Sequence, residues 1–571
     1  MVEAVRHESF HETGVWIDES LGVYVGWCAR KNSFAARMPL RNERGDAVLI
    51  FSGENFPEPG TEDPSGEYLI RLAEQDPSFP ASLNGRFHGL LVEQGRGATT
   101  LFNDRYGLHR LYYHEAKDGF YFGAEAKAIL AVRPDLATID LRGLGELVSC
   151  DCVLENRTLF HGIQVLPGAA RWILRDGVPE RKGTYFRPLE WEEQPALAPE
   201  IYDLELGRVL ARNLPRYFAG REAIGISLTG GLDTRLIMAQ RKPAAGSLPC
   251  YTFAGTYRDS RDVILARQVA HACGQVHRTI RVDDEFLARF PAYAERSVFL
   301  TDGCADVSRA PDLYVNERAR EIAPVRMTGN YGGEVLRRVR GFKPVALPSE
   351  LFSPDFLPSV RQAEQTHAKL LRRHPLSSVL FQQVPWYHYG LLALEESQLS
   401  VRSPFLDNDV VRTAFRAPQP SADDPIFLRL IEEAAPALRR IPTDRGLGGQ
   451  GVSGLLSRIF RELQFKAEYA YDYGMPQWAA PIDRLLSPLH PERLFLGRHK
   501  FTHFRLWYRG ALSTYVRDVL LDPSTLARPY LARKIVETIV NDHLTARRNY
   551  TVEIHKLLTM ELVQRLFGSP R

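Results

Sequence analysis

A glycine-rich turn flanked by hydroxyl and carboxylate side chains is the stretch of this sequence best suited to chemistry. Residues 225–236 read GISLTGGLDTRL. Apolar Ile224, Ile226 and Leu228 precede the turn, as in a strand buried in a parallel sheet, and apolar residues resume after it at helical spacing. A strand, a glycine turn and a helix direct backbone N–H groups and a helix N-terminus at one point. That arrangement is suited to binding an anion.

Three known motifs compete for this turn. A Walker loop needs a lysine after Gly230, but Gly231 stands there. A nucleophile elbow around Ser227 needs a second glycine where Thr229 stands. The pyrophosphate loop S-G-G-x-D-S of ATP pyrophosphatases fits better, because residues 229–234 read TGGLDT and keep both glycines, the aspartate and a hydroxyl at each end. A glycine turn that binds no ligand is the remaining interpretation.

Composition limits the classes of protein and partner. The chain has 571 residues, 44% hydrophobic and 25% charged, which predicts two or three globular domains. Its 72 basic and 69 acidic residues give a net charge of +3, too balanced to indicate a nucleic-acid or anionic-membrane partner. Arg337, Arg338 and Arg340 form a cluster that we read first as solvated or facing phosphate.

The number of cysteines and the hydropathy of the sequence predict the cellular compartment of the protein. Six cysteines do not form a disulfide framework in a chain of this length, and Cys150 and Cys152 are too close for ordinary zinc pairing. Residues 1–14 lack the apolar core of a secretory signal, and no segment approaches the roughly 18 apolar residues of a membrane span. We therefore expect a protein of the reducing cytoplasm.

The predicted secondary structure divides the chain into two parts, one rich in strands and one in which strands alternate with helices. Short apolar or alternating runs predict strands at 47–53, 85–93, 99–104, 110–116 and 119–125. The acidic, proline-containing stretch 188–200 predicts a linker. After it, helical patterns alternate with strands, which predicts a parallel sheet covered on both faces, and the chain beyond 420 is mostly helical.

With these segments in order, the chain resembles the asparagine synthetase family along nearly its whole length. The matching segments are LNGRFHGLL at 83–91, LFNDRYGLHRLYY at 101–113, TGGLDT at 229–234, MTGNYGGEVL at 327–336, SPFLDNDVV at 403–411 and LRRIPTDRG at 438–446. The resemblance implies a glutaminase-like β-sandwich of the N-terminal-nucleophile type over 1–190. A linker at 191–204 and an ATP-pyrophosphatase-type parallel sheet with a helical tail over 205–571 would follow.

The resemblance also implies a reaction. A small-molecule or peptide carboxylate attacks the α-phosphate of ATP, pyrophosphate leaves, and ammonia or a substrate amine displaces AMP to form an amide. ATP and Mg²⁺ are the implied cofactors, because an aspartate beside phosphates needs a cation between them. A homodimer is one assembly that the resemblance leaves open.

Site residues follow from the same resemblance. It places ATP against the first loop and its strand, the next strand, the second glycine-rich loop and an arginine near 400: Ser227, Leu228, Thr229, Gly230, Gly231, Leu232, Thr234, Thr252, Phe253, Gly329 and Arg402. Asp233 and Glu334 are the implied metal ligands, and Asp233, Glu334, Arg445 and Lys466 the implied catalytic residues. Thr252 is equally well read as a strand residue without a ligand, Lys466 as an exposed helix lysine, and Arg402 as the partner of a core carboxylate.

The chain departs from the family pattern in both halves. In the second loop, Gly333 falls where the family carries a metal-binding aspartate. In the N-terminal half, the nucleophilic cysteine that the family has at position 2 is replaced by Val2, and the first cysteine is Cys28. Ser52 stands in place of a family asparagine and Ser65 in place of its substrate-binding aspartate. We therefore expect a glutaminase fold without glutaminase activity.

Three hypotheses remain at this point. The first is an AMP-forming amide ligase without working glutaminase, which takes free ammonia or a tethered amine. The second is an asparagine synthetase supplied with ammonia by a separate glutaminase. The third is a degenerate homologue that acts as a scaffold or a nucleotide sensor. The replacement at Gly333 favours the third, whereas the intact Gly230, Gly231 and Asp233 oppose it.

Overall fold

The computed structural model describes residues 1–58, 66–370, 374–418, 425–443 and 452–568. The strands are β1 (His11–Asp18), β2 (Val23–Arg30), β3 (Leu40–Arg41), β4 (Ala47–Asn55), β5 (Gly85–Glu93), β6 (Ala98–Asn103), β7 (Tyr112–Ala116), β8 (Gly119–Gly123), β9 (Gln164–Val165), β10 (Ala170–Arg175), β11 (Val178–Thr184), β12 (Ile224–Ser227), β13 (Cys250–Ala254), β14 (His277–Arg281), β15 (Val325–Met327) and β16 (Ser400–Arg402).

The α-helices in the part of the chain that includes the parallel sheet outnumber those before it. The first group is α1 (Val2–Val5), α2 (Tyr68–Gln75), α3 (Ala126–Leu130), α4 (Leu141–Cys150) and α5 (Leu189–Glu192). The second group is α6 (Pro199–Tyr217), α7 (Asp233–Arg241), α8 (Arg261–Ala272), α9 (Asp284–Leu300), α10 (Ala310–Ile322), α11 (Gly332–Arg337), α12 (Leu357–Leu370), α13 (Pro375–Ser378), α14 (Tyr389–Glu396), α15 (Asn408–Phe415), α16 (Pro425–Ala434), α17 (Pro436–Arg439), α18 (Val452–Tyr469), α19 (Ala480–Leu486), α20 (Phe504–Arg509), α21 (Ser513–Leu520), α22 (Pro523–Leu526), α23 (Arg533–Leu544) and α24 (Thr551–Phe567).

The N-terminal half is a sandwich of antiparallel sheets. A six-stranded sheet in the order β11-β10-β6-β5-β4-β3 lies against the β1-β2 ribbon and the three-stranded sheet β8-β7-β9. The central strands β4, β5 and β6 are buried along most of their length, and their Phe51, Phe87 and Phe102 share a core with Trp16 and Tyr113. The predicted sandwich is confirmed.

The C-terminal half contains a five-stranded parallel sheet in the order β14-β13-β12-β15-β16. Helices flank it because parallel neighbours need crossover connections, and apolar side chains fill the space between sheet and helices. β12 and β15 are hydrogen-bonded neighbours, with Ile226 opposite Met327. Their carboxyl ends therefore lie side by side, and the loops that follow both strands meet at one edge of the sheet. The predicted parallel sheet with flanking helices and helical tail is confirmed.

One buried carboxylate joins the two halves. Asp407, at the N-terminus of α15, is fully buried. It accepts hydrogen bonds from the guanidinium of Arg216, from Tyr217 Oη at 3.0 Å and, from the N-terminal half, from Asn84 Nδ2 at 3.2 Å. The junction is thus a polar network in which the charge is compensated by several donors.

The segment expected to link the domains is partly folded. Trp191 lies in α5 and is 8% exposed, with its ring 4.5 Å from that of Phe186. Helix α6 begins at Pro199, inside the expected linker 191–204. The acidic composition of the stretch does not reveal that two of its aromatic residues, Trp191 and Tyr202, are buried in the core. Within the described residues, no helix is both long and apolar enough to cross a membrane.

Candidate active site

The first glycine-rich loop connects β12 to α7 and is held by its own hydroxyl groups. Thr229 Oγ1 accepts a hydrogen bond from Gly231 N at 3.2 Å, and Thr234 Oγ1 accepts one from Thr229 N at 3.4 Å. Thr234 is buried and Thr229 is exposed. The two threonines of the motif therefore shape the loop from opposite sides, as the serines of the S-G-G-x-D-S pattern would.

A carboxylate already lies on a backbone N–H of this loop. Gly230 N donates to Asp262 Oδ1 at 2.8 Å. Asp262 lies in the first turn of α8, whose N-terminus is capped by Ser260. Because carboxylate and phosphate oxygens are both anionic acceptors, the contact demonstrates that the loop presents an N–H group to an anionic oxygen. Sequence analysis did not single out Asp262.

A buried arginine ties the same loop to a distant segment. Arg235 is 1% exposed, and its guanidinium donates to Gly230 O at 3.2 Å, Pro442 O at 3.0 Å and Ile441 O. A charged side chain in the otherwise apolar face of α7 is the sequence signal that could have found it. Arg235 therefore fixes the loop relative to the chain just before residue 444.

The second glycine-rich loop runs directly over Asp233. A Cβ atom built on Gly329 would lie 2.7 Å from Asp233 Cβ, and one built on Gly332 would lie 2.5 Å from Asp233 Oδ1. Side chains at these positions would collide with the aspartate. The carboxylate is ion-paired with Arg337, whose Nη2 lies 3.1 Å from Oδ2 and 3.3 Å from Oδ1.

The other polar residues of the second loop are engaged at different points. Asn330 Oδ1 accepts from Thr328 Oγ1 at 2.9 Å, and Asn330 O accepts from Ser403 Oγ at 2.5 Å. Glu334 Oε1 lies 4.0 Å from His388 Nε2, and burial raises the pKa of this carboxyl group above its ordinary value.

These residues do not make a divalent-cation site in the arrangement described. Mg²⁺ prefers near-octahedral oxygen ligands, usually from one or two carboxylates together with waters and phosphates. Asp233, however, has an arginine on its carboxylate, and Glu334, the other predicted ligand, lies 4.0 Å from His388 Nε2. The metal role predicted for Asp233 and Glu334 therefore does not fit this arrangement.

The strand residues predicted to line the nucleotide make internal contacts. Thr252 Oγ1 donates to Leu228 O at 2.8 Å and lies 2.9 Å from His277 Nε2, and Arg326 Nε donates to Ser227 Oγ at 3.0 Å. Both hydroxyls are buried, whereas Phe253 is partly exposed. Leu232 is buried beneath the loop.

The predicted cations either pair with carboxylates other than Asp233 and Glu334 or lie outside the described chain. Arg402 is buried and pairs with Glu54 of the N-terminal half at 2.6 Å, and it also donates to Tyr217 O at 3.1 Å. Lys466 has a side chain that is 69% exposed and lies 3.5 Å from Glu462. Arg445 belongs to residues 444–451, which the structure does not describe.

A cavity of about 350 Å³ lies where the sandwich meets the C-terminal half. Ser52 Oγ lies 2.9 Å from His109 Nε2 on its wall. Burial and the neighbouring His88 lower the pKa of His109 well below its ordinary value, so this imidazole is neutral. The cysteine lining the cavity is Cys28, a residue of β2, and burial raises the pKa of its thiol to about 11. Ser65, predicted at a glutamine-binding position, lies outside the described residues.

Two family models match the chain, and they do so in the order of its two halves. The glutamine amidotransferase domain matches residues 66–186, and asparagine synthase matches residues 205–422. These two matches together support an asparagine synthetase family member. Within that family's pattern, the Thr229–Thr234 loop occupies the start of the second matched region.

Curated members of the family match at low identity. The glutamine-hydrolysing asparagine synthetase 1 of Bacillus subtilis (strain 168) is 25% identical over 359 residues, which are 59% of this chain and 54% of that protein. The glutamine-hydrolysing asparagine synthetase of Bos taurus is 25% identical over 372 residues, 60% of this chain and 58% of that protein. The chain thus spans somewhat over half the length of these relatives. A solved structure of the allosteric regulatory enzyme of purine biosynthesis matches 44% of this chain and 63% of that chain, with 9% identity and a TM-score of 0.20.

Proposed function

We propose that this chain is an ATP-dependent, AMP-forming amide-bond ligase. A carboxylate oxygen of the substrate attacks the α-phosphorus of ATP, the α–β bridging bond breaks, and pyrophosphate leaves. An amine nitrogen then attacks the acyl carbon of the adenylate, the carbon–oxygen bond to AMP breaks, and the nitrogen loses its extra proton. Ammonia and a substrate-borne amine are the two acceptor classes. The carboxylate is a small molecule or a peptide.

The contact between Gly230 N and the Asp262 carboxylate carries this proposal. It supports a loop that binds anionic oxygen through backbone N–H groups, and pyrophosphate is the anion that the reaction releases. Thr229 and Thr234 hold the loop in this form. Hydrogen-bond donors fixed in place stabilise the charge that develops on a leaving pyrophosphate. In this proposal, a pyrophosphate oxygen replaces the Asp262 carboxylate on Gly230 N.

The N-terminal half serves the ligase as a fold rather than as a glutaminase. Glutamine hydrolysis needs an activated nucleophile, and a thiolate is the reactive form of cysteine. Cys28 has a pKa near 11, so almost none of it is ionised near neutral pH. Its position within β2 also means that its own amine is part of a peptide bond. We place the sandwich at 1–190 and the synthetase part from 205, a division that the matched regions 66–186 and 205–422 support.

Carboxylate-dependent exchange of labelled pyrophosphate into ATP tests the proposal. We expect exchange with one member of a panel of carboxylates, and no exchange without a carboxylate. Thr234→Val keeps the shape of the side chain and removes its hydroxyl, so it should lower exchange at least tenfold, whereas Thr234→Ser should retain exchange. Absence of exchange across a broad panel, together with absence of ATP binding, would contradict the proposal.

The second candidate is a nucleotide-binding scaffold that catalyses nothing. The ion pair between Asp233 and Arg337 supports it, because the carboxylate beside the loop is not arranged for a metal. ATP binding with no exchange for any carboxylate would favour this candidate. An asparagine synthetase supplied with ammonia is the special case of the ligase in which aspartate supports exchange and ammonia is the acceptor.

A further inference from the structure

The ion pair between Asp233 and Arg337 connects the helices that follow the two glycine-rich loops. Asp233 is the first residue of α7, and Arg337 is the last residue of α11, 104 positions later in the chain. Arg337 Nη2 reaches both carboxylate oxygens, at 3.1 and 3.3 Å. Its guanidinium also lies 5.3 Å from the ring centroid of Phe427, a residue that is fully buried. An aspartate on one side and an aromatic ring on the other therefore set its position.

Two consecutive glycines leave the space that this pair needs. A Cβ on Gly333 would lie 3.0 Å from Arg337 Nη2, and a Cβ on Gly332 would lie 2.5 Å from Asp233 Oδ1. A side chain at 333 would thus press on the guanidinium, and one at 332 would displace the carboxylate. Because positions 332 and 333 are glycines, the backbone of α11 can lie close to both Asp233 and Arg337.

No second carboxylate of the described loops shares Asp233 in a metal cluster. Glu334 faces His388, and Asp262 accepts the N–H of Gly230. A guanidinium at 3.1 Å supplies a fixed positive charge to the carboxylate and repels a metal ion from the same oxygens.

We propose that Arg337 is the resident cation of the nucleotide site, in place of a divalent ion held by the protein. It neutralises Asp233, which is its positioning residue, and it contributes positive charge to the anionic β- and γ-phosphate oxygens of a nucleoside triphosphate or to pyrophosphate. An arginine suits this role because its planar guanidinium carries five N–H groups and stays charged at every relevant pH. This inference rests on the proposed function, since it concerns the same loop.

Pyrophosphate binding without divalent metal tests the inference. Isothermal titration with inorganic pyrophosphate in EDTA should give saturable binding to the unaltered protein. Arg337→Gln should weaken this binding at least tenfold. Arg340→Gln, which removes an exposed arginine three positions away, is the matched control and should change binding less than twofold. Thermal unfolding of each variant establishes that the comparison is between folded proteins.

The outcomes separate this inference from the proposed function. Pyrophosphate binding that requires Mg²⁺, or that survives Arg337→Gln unchanged, would overturn the role of Arg337 and leave the ligase in place. Failure of pyrophosphate to bind with and without Mg²⁺ would overturn both, because the loop would then bind no phosphate.

Restoring a metal site provides the converse test. We expect electron paramagnetic resonance to detect no Mn²⁺ bound at the loops of the nucleotide-free protein. The double variant Gly333→Asp/Arg337→Gly removes the cation and adds a carboxylate next to the space that the guanidinium leaves, so it should bind Mn²⁺ at least tenfold more tightly than the unaltered protein. Mn²⁺ bound tightly by the unaltered protein and lost in Asp233→Asn would contradict the inference, and the pyrophosphate titration decides the matter if the double variant fails to fold.

Discussion

The cavity at the sandwich and the loops at the parallel sheet differ in what surrounds their reactive groups. The cavity keeps about 350 Å³ of space, but its cysteine is a strand residue with a pKa near 11. The loops keep both glycines of the motif and compensate the charge of Asp233 with Arg337 at 3.1 Å. The cavity has room for a small molecule, but its cysteine is not ionised. The loops have a carboxylate whose charge an arginine balances. An inherited fold therefore persists in both regions, while the supporting chemistry points to the loops alone.

The largest expected effect concerns the network that joins the two regions. Asp407→Ala removes the carboxylate that compensates Arg216 and accepts from Asn84 of the N-terminal half. Leaving a buried guanidinium without its partner should lower the free energy of unfolding by about 3–5 kcal/mol. Urea unfolding followed by circular dichroism measures this change.

The neighbouring carboxylate is the matched control for that experiment. Asp409 pairs with Arg212 and Arg412, whose side chains are more than half exposed. Asp409→Ala should therefore cost under about 1 kcal/mol, because exposed ion pairs contribute little. Equal effects at the two positions would mean that the halves are not held together by the buried network.

A feature of the fold or of the site can be predicted from the sequence when the residues that produce it are close together in the chain. The sequence predicts a strand at 85–93, and β5 spans Gly85–Glu93, because an apolar run and its bounding turns are properties of the strand itself. The glycine loop was found in the same way. The pair between Asp233 and Arg337 could not be found, because it depends on the parallel register of β12 and β15, which brings two distant loops to one edge. Arg402 is a similar case, since its partner Glu54 lies 348 positions away.

The second prediction concerns the loops and is a double-mutant cycle. Asp233→Asn and Arg337→Gln should each lower carboxylate-dependent pyrophosphate exchange by about a hundredfold, which corresponds to about 2.7 kcal/mol of transition-state stabilisation. If the two residues act as one unit, the double variant should be at most about twofold slower than either single variant. A double variant whose exchange is about ten-thousandfold lower than that of the unaltered protein would instead show that Asp233 and Arg337 act independently.

The third prediction concerns the cavity. Glutamine should release no glutamate, with or without ATP, because the thiol that lines the cavity is not ionised. At pH 8, a thiol of pKa about 11 has roughly a hundredfold less thiolate than one at the ordinary value of 9.0. Alkylation of Cys28 by iodoacetamide, followed by peptide mass spectrometry, should therefore be at least tenfold slower than alkylation of an unfolded sample. Glutaminase turnover that Cys28→Ala abolishes would contradict this prediction and show that Cys28 hydrolyses glutamine.

The smallest expected effect is a pH dependence at the contact between Arg402 and Glu54. Burial opposes ionisation of Glu54, but the Arg402 guanidinium outweighs it and lowers the pKa of this carboxyl group below its ordinary value of 4.5. A lowered pKa in the folded protein means that the pair stabilises the fold above about pH 4.5, and that this stability is lost as the pH falls through the lowered value. We expect this loss to be smaller than that caused by Asp407→Ala, because acidification removes the charge of Glu54 but leaves its carboxyl group in place beside Arg402. Glu54→Gln should be less stable than the unaltered protein at pH 7, and the difference should shrink on acidification. A difference that stayed constant from pH 7 to pH 3 would mean that the charge of Glu54 does not stabilise the junction between the two halves.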